Sequence, residues 1–266
     1  MITSVHNPKI QQIRALQSRS RQRREAGAFV VEGVRLVEEA FQAGWETELV
    51  LYTEDLGERG QVVVKALAAQ GVQVEQAAPH VFRAASDTQS PQGILAVLPI
   101  KTLPLPAALD FAFIPDGVRD PGNLGTMLRT AAAAGAQAVF LPPGSVDAFA
   151  PKVVRAAMGA HFRLPIYSLT WDEVRQQVRQ APLWVYLAEA GLGEMYTQAD
   201  FRRPLALMIG SEAEGASQEG RSLVDTPVHI PMPGGGESLN AAIAAAVLLF
   251  EVARQRTIAH AFSGQF

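Results

Sequence analysis

The stretch RDPGNLGTMLRTAAAAGAQAVFL, Arg119–Leu141, decides how the rest of the chain is read. A short apolar strand, DFAFIPD, precedes it and AVFL closes it, so a glycine-bearing turn and an alanine-rich helix lie between two strands. Strand, helix and strand in that order make the repeating unit of a parallel sheet. Asn123 is the expected N-cap, because its side-chain oxygen can accept from the free amides of a first turn. Gly122 and Gly125 permit close backbone approach, and Arg129 follows just over one turn into the helix. The turn has neither the G-x-G-x-x-G spacing of a dinucleotide site nor the G-x-x-x-x-G-K-[ST] of a phosphate loop. By itself it reads as a capped helix with a surface arginine or as a ligand loop.

Towards the C-terminus the alternation continues. The helix PKVVRAAMGAHF, the strand RLPIYS, the helix WDEVRQQVRQ and the strand LWVYLAEA are followed by the strands PLALMIG and PVHIPM and an alanine-rich helix to about Arg256. This predicts an α/β domain whose mostly parallel sheet is covered on both faces and binds ligands at the carboxyl ends of its strands. Towards the N-terminus, three prolines in residues 99–108 predict an extended linker. Before it, from Gly33, helices GVRLVEEAFQAG, RGQVVVKALAAQG and PHVFRAAS alternate with strands ELVLY, VQVEQ and ILAVLPI in a second, smaller α/β layer. The expected organisation is a small domain over residues 1–98, a linker over 99–108 and a larger domain over 109–266.

Composition narrows the chemistry. The chain has no cysteine, which excludes disulfides and thiolate catalysis, and its five histidines are scattered, so no metal cluster is expected. No apolar run could cross a bilayer and the first residues are polar, so the chain reads as cytoplasmic and free of membrane partners. Its net charge is -3, yet Lys9 to Arg24 holds six basic residues and no acidic one. That run is either a solvated helix face or an arm that contacts phosphates.

Two more loops follow strands of the larger domain. LMIGSEAEGAS puts Glu212 and Glu214 after a buried strand, where two carboxylates could make a polar turn, a general base or a metal site. VHIPMPGGGESLNAAIAAAV joins three glycines to Ser238 and Asn240, either of which can cap the next helix, and the small residues of that helix allow a close neighbour.

The order Asn-x-Gly-x-x-x-Arg, Gly-Ser-Glu-x-x-Gly, then Ile-Pro-Met before Ser-Leu-Asn resembles the three motifs of the SpoU, or TrmH, family of RNA ribose 2'-O-methyltransferases. TSVHNPKIQQIRALQ, GAFVVEGVRLVEEA and SPQGILAV are similar to phrases of the L30e-like substrate-binding domain that part of this family carries. Ala213 departs from the motif, standing where glycine is frequent, and could alter that loop's backbone. The resemblance implies a SPOUT α/β domain with a trefoil knot, preceded by the L30e-like domain, in a homodimer. It implies S-adenosylmethionine as cofactor, held by Ala188, Gly210, Ile230, Met232 and Leu239. It gives Arg129 as the catalytic arginine, with Asn123, Glu212, Ser238 and Asn240 positioning loops and ribose. A guanidinium stays protonated at ordinary pH, so electrostatic stabilisation of the forming alkoxide suits Arg129 better than base catalysis. The basic run, through Arg19, Arg21, Arg23 and Arg24, would then bind RNA, with rRNA favoured over tRNA. Other readings are a non-catalytic RNA-binding or ribosome-assembly protein of the same fold, a nucleotide-using enzyme, a tRNA-directed enzyme and an antibiotic-resistance methyltransferase.

Overall fold

Asn7 and Pro8 start the first helix, α1 (Pro8–Ser18), because the Asn7 side chain accepts from Lys9 N at 3.0 Å and proline tolerates the first helical position. Ile10, Ile13 and Leu16 bury its apolar stripe. The computed structural model describes residues 1–212, 214–236 and 238–263, with only the backbone of 258–263. It divides into two compact units, Met1–Lys101 with Asp147–Phe162, and Thr102–Val146 with Arg163–Phe266.

In the first unit, α1 and the short helix α2 (Ser20–Ala26) precede a four-stranded sheet of order β1-β4-β2-β3. Its strands are β1 (Ala28–Glu32), β2 (Leu49–Tyr52), β3 (Gln73–Gln76) and β4 (Ile94–Pro99). β4 runs antiparallel to both β1 and β2, while β2 and β3 are parallel. The strand β1 escapes the alternation predicted from Gly33 onward: it is a short, continuously buried run with no polar residue to mark its period until Glu32. The helices α3 (Val34–Gln42), α4 (Glu58–Ala69) and α5 (Pro79–Ala85) complete the layer. Ile10, Ile13, Leu16, Leu51, Phe82 and Leu95 form its core.

The segment Asp147–Phe162 also packs in this unit, although the alternation predicts it as part of the larger domain. Its helix α7 (Pro151–Ala157) and a following 3-10 turn bring Phe149 and His161 against Phe29, and Phe162 against Trp45. Arg155 pairs with Asp87 at 2.8 Å. Helix and strand patterns are local and carry no record of such partners.

Residues 100–110 form neither helix nor strand. The second unit is a seven-stranded sheet of order β7-β6-β5-β10-β8-β11-β9, and all its pairings are parallel. Its strands are β5 (Phe111–Pro115), β6 (Ala138–Leu141), β7 (Ile166–Ser168), β8 (Trp184–Ala188), β9 (Glu194–Met195), β10 (Leu205–Ile209) and β11 (Thr226–His229). Ala112, Ile114, Phe140, Val185 and Met208 pack with Val174 and Val178 of α8 (Trp171–Gln180), whose start is fixed by a Thr170–Glu173 capping box. The helices α6 (Pro121–Ala133) and α10 (Ala241–Ser263) pack on one another and against β5 and β10. Ala241, Ala242 and Ala245 are buried in that contact-rich helix, as its small residues lead one to expect. The carboxyl ends of β5, β10, β8 and β11 lie side by side, and the loops that leave them build the site.

Candidate active site

Helix α6 begins three residues earlier than its sequence suggests. Asp120, not Asn123, is its N-cap: the Asp120 carboxylate accepts from Asn123 N at 2.8 Å, and Pro121 takes the first helical position. A charged oxygen is the stronger acceptor for free helix amides, and the proline after it fixes the entry. Two consequences follow. Arg129 lies more than two turns into the helix, and the Asn123 side chain is free to bond elsewhere.

It bonds across the site. Asn123 Nδ2 donates to Glu212 Oε1 at 3.1 Å, and Asn240 Nδ2 donates both to Asn123 Oδ1 at 3.2 Å and to Glu212 Oε1. Ala241 N donates the third bond to Glu212 Oε1, at 3.0 Å. Asn240 Oδ1 meanwhile caps α10, accepting from Ala242 N at 3.0 Å and Ile243 N at 3.3 Å; of the two capping candidates, Asn240 serves and Ser238 does not. One residue from each of the three sequence motifs thus enters a single hydrogen-bonded cluster. Charge-assisted bonds of this kind rigidify loops that have no strand or helix of their own.

The second loop is a tight turn closed by reciprocal bonds between Ser211 and Gly215, at 2.9 and 3.0 Å. Gly210 is required there, because a Cβ would stand 2.3 Å from Ala216 N and from Gly215 C. Below it, Asp116 is buried at the end of β5 and accepts from Ser217 N at 2.6 Å. Burial pushes the Asp116 carboxyl above its ordinary range, against the lowering effect of the Ser217 bonds. Glu214 turns outward and pairs with Arg119, two bonds at 2.9 and 3.3 Å, joining the first and second loops at the surface. Ala213, where the motif departs from glycine, lies outside the described residues.

These loops enclose a cavity of about 650 Å³. Ala188, Gly210, Ile230, Met232 and Leu239 all line it, as do Glu212 and Ser238. Asn123, Asn240 and Arg129 do not. Arg129 is exposed, with no hydrogen bond or ion pair among the described residues. The lining also includes residues that the sequence did not single out: Glu189, which pairs with Arg221, together with Leu192 and His229. A carboxylate one residue beyond the strand β8 was a usable signal for Glu189; nothing local pointed to Arg221. Among the described lining residues there is no lysine or arginine, while Glu189 and Glu212 are acidic. Such a cavity, with apolar walls from Ile209, Val228, Ile230 and Leu239, disfavours a phosphate and favours a cationic, partly apolar ligand.

The basic run folds as α1 and α2 with Arg19 extended between them. Arg19 and Arg24 are exposed, and Arg21 is exposed but holds Glu25 at 2.6 Å. Arg23, expected to meet RNA, is instead buried: its guanidinium donates to Leu16 O at 2.6 Å and Gln17 O at 3.4 Å and pairs with Asp147 at 2.7 Å. Helix geometry turns Arg23 inward while Arg21 and Arg24 face out, and a charge run does not record that choice. Buried and held by Leu16, Gln17 and Asp147 inside the first unit, Arg23 is not a surface contact.

Residues 110–250 match the SpoU rRNA Methylase family, and residues 7–96 match the MRM3-like substrate binding domain. The chain is 32% identical over 251 residues to 23S rRNA (guanosine(2553)-2'-O)-methyltransferase RlmP of Bacillus subtilis, covering 94% of this chain and 98% of that protein. It is 32% identical over 268 residues to 23S rRNA (uridine(2479)-2'-O)-methyltransferase of Streptomyces viridochromogenes, covering 96% and 92%. The crystal structure of AdoMet-bound rRNA methyltransferase from Sinorhizobium meliloti superposes with a TM-score of 0.85 at 31% identity, over 95% of this chain and 97% of that one.

Proposed function

The chain belongs to the SpoU rRNA methylase family, and from that premise we propose that it transfers a methyl group from S-adenosylmethionine to a ribose 2'-hydroxyl of large-subunit ribosomal RNA. The observation that carries this reading is the convergence of the three motif loops, through Asn123, Glu212 and Asn240, on one acidic, apolar-walled cavity. S-adenosylmethionine fits that chemistry: it is cationic at sulfur, carries no phosphate, and suits the cavity's volume. When bound it supplies a methyl group activated by the sulfonium. Two relatives are named as 2'-O-methyltransferases of a guanosine and of a uridine, which supports the ribose rather than the base as the methylated group.

In this reading Ala188, Gly210, Ile230, Met232 and Leu239 hold the cofactor, and Gly210 lets the Ser211–Gly215 turn close against it. Glu212, fixed by Asn123 and Asn240, keeps the loops from drifting, so that the hydroxyl and the methyl meet in line. Ser238 faces the ribose from the cavity wall. Arg129 donates to the 2'-oxygen as negative charge grows there and anchors the neighbouring phosphate. Because Arg129 is exposed and does not line the cavity of its own chain, a homodimer completes the site, with Arg129 of one copy serving the other. Ile243 and Phe250 support such pairing: both are more than half exposed, seven residues apart on one face of α10. The trefoil knot belongs to the same proposal, as does a cytoplasmic location. The first unit, with Arg19, Arg21 and Arg24 at its surface, would hold the RNA.

The test uses radiolabelled S-adenosylmethionine and an unmodified 23S rRNA transcript. Label should appear in alkali-resistant dinucleotides, because a methylated 2'-oxygen cannot attack its phosphate. Label in a base, or none in RNA, would overturn the proposal. Mixing Arg129→Ala with Gly210→Val, each inactive alone, should restore part of the activity if the site is shared between copies.

A further inference from the structure

The first unit carries a concavity of about 400 Å³ between α1 and the C-terminal end of α5. Its walls are polar. Arg14, Gln17, Ser18 and Arg19 come from α1 and the break after it, and Ser86 and Asp87 come from the end of α5. The break matters: Arg19 adopts an extended conformation, φ -130° and ψ 113°, between two helices, which leaves its side chain exposed at the rim.

Glu32, buried at the end of β1, fixes the floor. Its carboxylate accepts from Ser86 Oγ, from Thr88 Oγ1 at 2.6 Å and from Asp87 N at 3.1 Å, and Gln17 Nε2 lies 3.5 Å away. Gln17 also reaches Ala85 O at 3.4 Å. The walls are therefore held before any ligand arrives, which lowers the ordering cost of binding. Charge follows from the pairings. Glu32 is buried and satisfied, and the one rim carboxylate, Asp87, is paired with Arg155 at 2.8 Å. Arg14 and Arg19 remain exposed, with no ion pair among the described residues. The recess thus offers two guanidinium groups for phosphate, amides and hydroxyls for hydrogen bonding, and the small side chains of Ala15 and Ala84 as a surface for a flat ring.

We infer that this recess is an RNA subsite that takes one unpaired nucleotide, with Arg14 and Arg19 on the flanking phosphates and Gln17, Ser18 and Ser86 facing the base. A protein reads an unstacked base in this way, by its edge and its ring face. The inference rests on the reading of the chain as an RNA enzyme and locates a hold on that RNA within the first unit.

Filter binding of an unmodified 23S rRNA transcript over a KCl series tests it. Arg14→Gln with Arg19→Gln should raise the Kd about tenfold or more and lower the slope of log K against log salt by roughly 1.4 to 1.8, the loss of two phosphate contacts. Ala84→Phe fills the recess without changing charge, and should raise the Kd while leaving the slope unaltered. Far-UV circular dichroism and urea unfolding report that the first unit of each variant is folded. An Ala84→Phe protein that binds the transcript like the unaltered one overturns the inference, as does an unchanged salt slope in the arginine double variant. Methyl transfer separates the two readings. Recess-dependent RNA binding with no label transferred removes the enzyme and keeps the subsite; normal transfer at limiting RNA in both variants removes the subsite alone.

Discussion

The cavity rim of the second unit and the basic helices of the first use polar side chains in opposite ways. At the rim, Asn123, Glu212 and Asn240 are spent on one another, while Arg129 of the first motif is exposed, with no hydrogen bond or ion pair among the described residues. In the basic helices the reverse holds for arginine: Arg23 is spent on Leu16 O, Gln17 O and Asp147, while Arg14, Arg19 and Arg24 stay exposed. In both regions a locked group builds the scaffold and a guanidinium is left exposed. Residue type does not separate the two roles; the face on which the side chain emerges does.

The largest effect expected from this contrast is on stability. Arg23→Ala strands Asp147, of which 22% of the side chain is exposed, and two backbone carbonyls, and should cost about 3 to 5 kcal/mol in urea unfolding. Arg24→Ala, at an exposed position on the same helix, should stay within about 0.5 kcal/mol. Equal costs would erase the distinction between scaffold and ligand arginines.

Next in size is catalysis. Arg129→Ala should lower turnover by at least about a hundredfold, the scale for loss of one preorganised electrostatic group, while leaving cofactor affinity near its original value. Turnover close to normal would remove Arg129 from the mechanism.

A smaller effect sharpens the scaffold side. His161 is buried in the first unit, with Nε2 on Ala148 O at 2.8 Å, and burial depresses its pKa from 6.5 to about 4, against the raising effects of Ala148 and Asp147. The unfolded chain therefore takes up a proton in a range where the folded one does not. The stabilisation is full above pH 6.5, falls as the pH drops towards 4 and amounts to about 3 kcal/mol at most. Unfolding free energies across that window should slope downward with acidification, and His161→Phe should flatten the slope. A slope that survives the substitution would assign it to other groups.

Much of the second unit was legible in the sequence because its signals are local. The strand–helix alternation from DFAFIPD onward gave a parallel sheet, and the glycines and short polar residues after β5, β10 and β11 marked the loops. The two-residue strand β9 and the four-residue helix α9 (Gln218–Arg221) are too short to show a period and went unread. Asn123 was recognised as a site residue, yet its role as N-cap belongs to Asp120, since both are good caps and the proline between them settles the start. The Glu189–Arg221 pairing was unreadable, because the two residues lie far apart in the chain and nothing local pointed to Arg221.

What the sequence determined by itself is the kind of fold and the three loops, since periodicity, glycine and capping act over a few residues along the chain. Only the tertiary structure decided that Asn123, Glu212 and Asn240 bond to one another, that Arg23 rather than Arg24 is buried, and that Asp147–Phe162 packs with the first unit. Those outcomes depend on contacts between residues far apart in the chain, where each group is placed by the packing of whole elements and not by its neighbours in sequence.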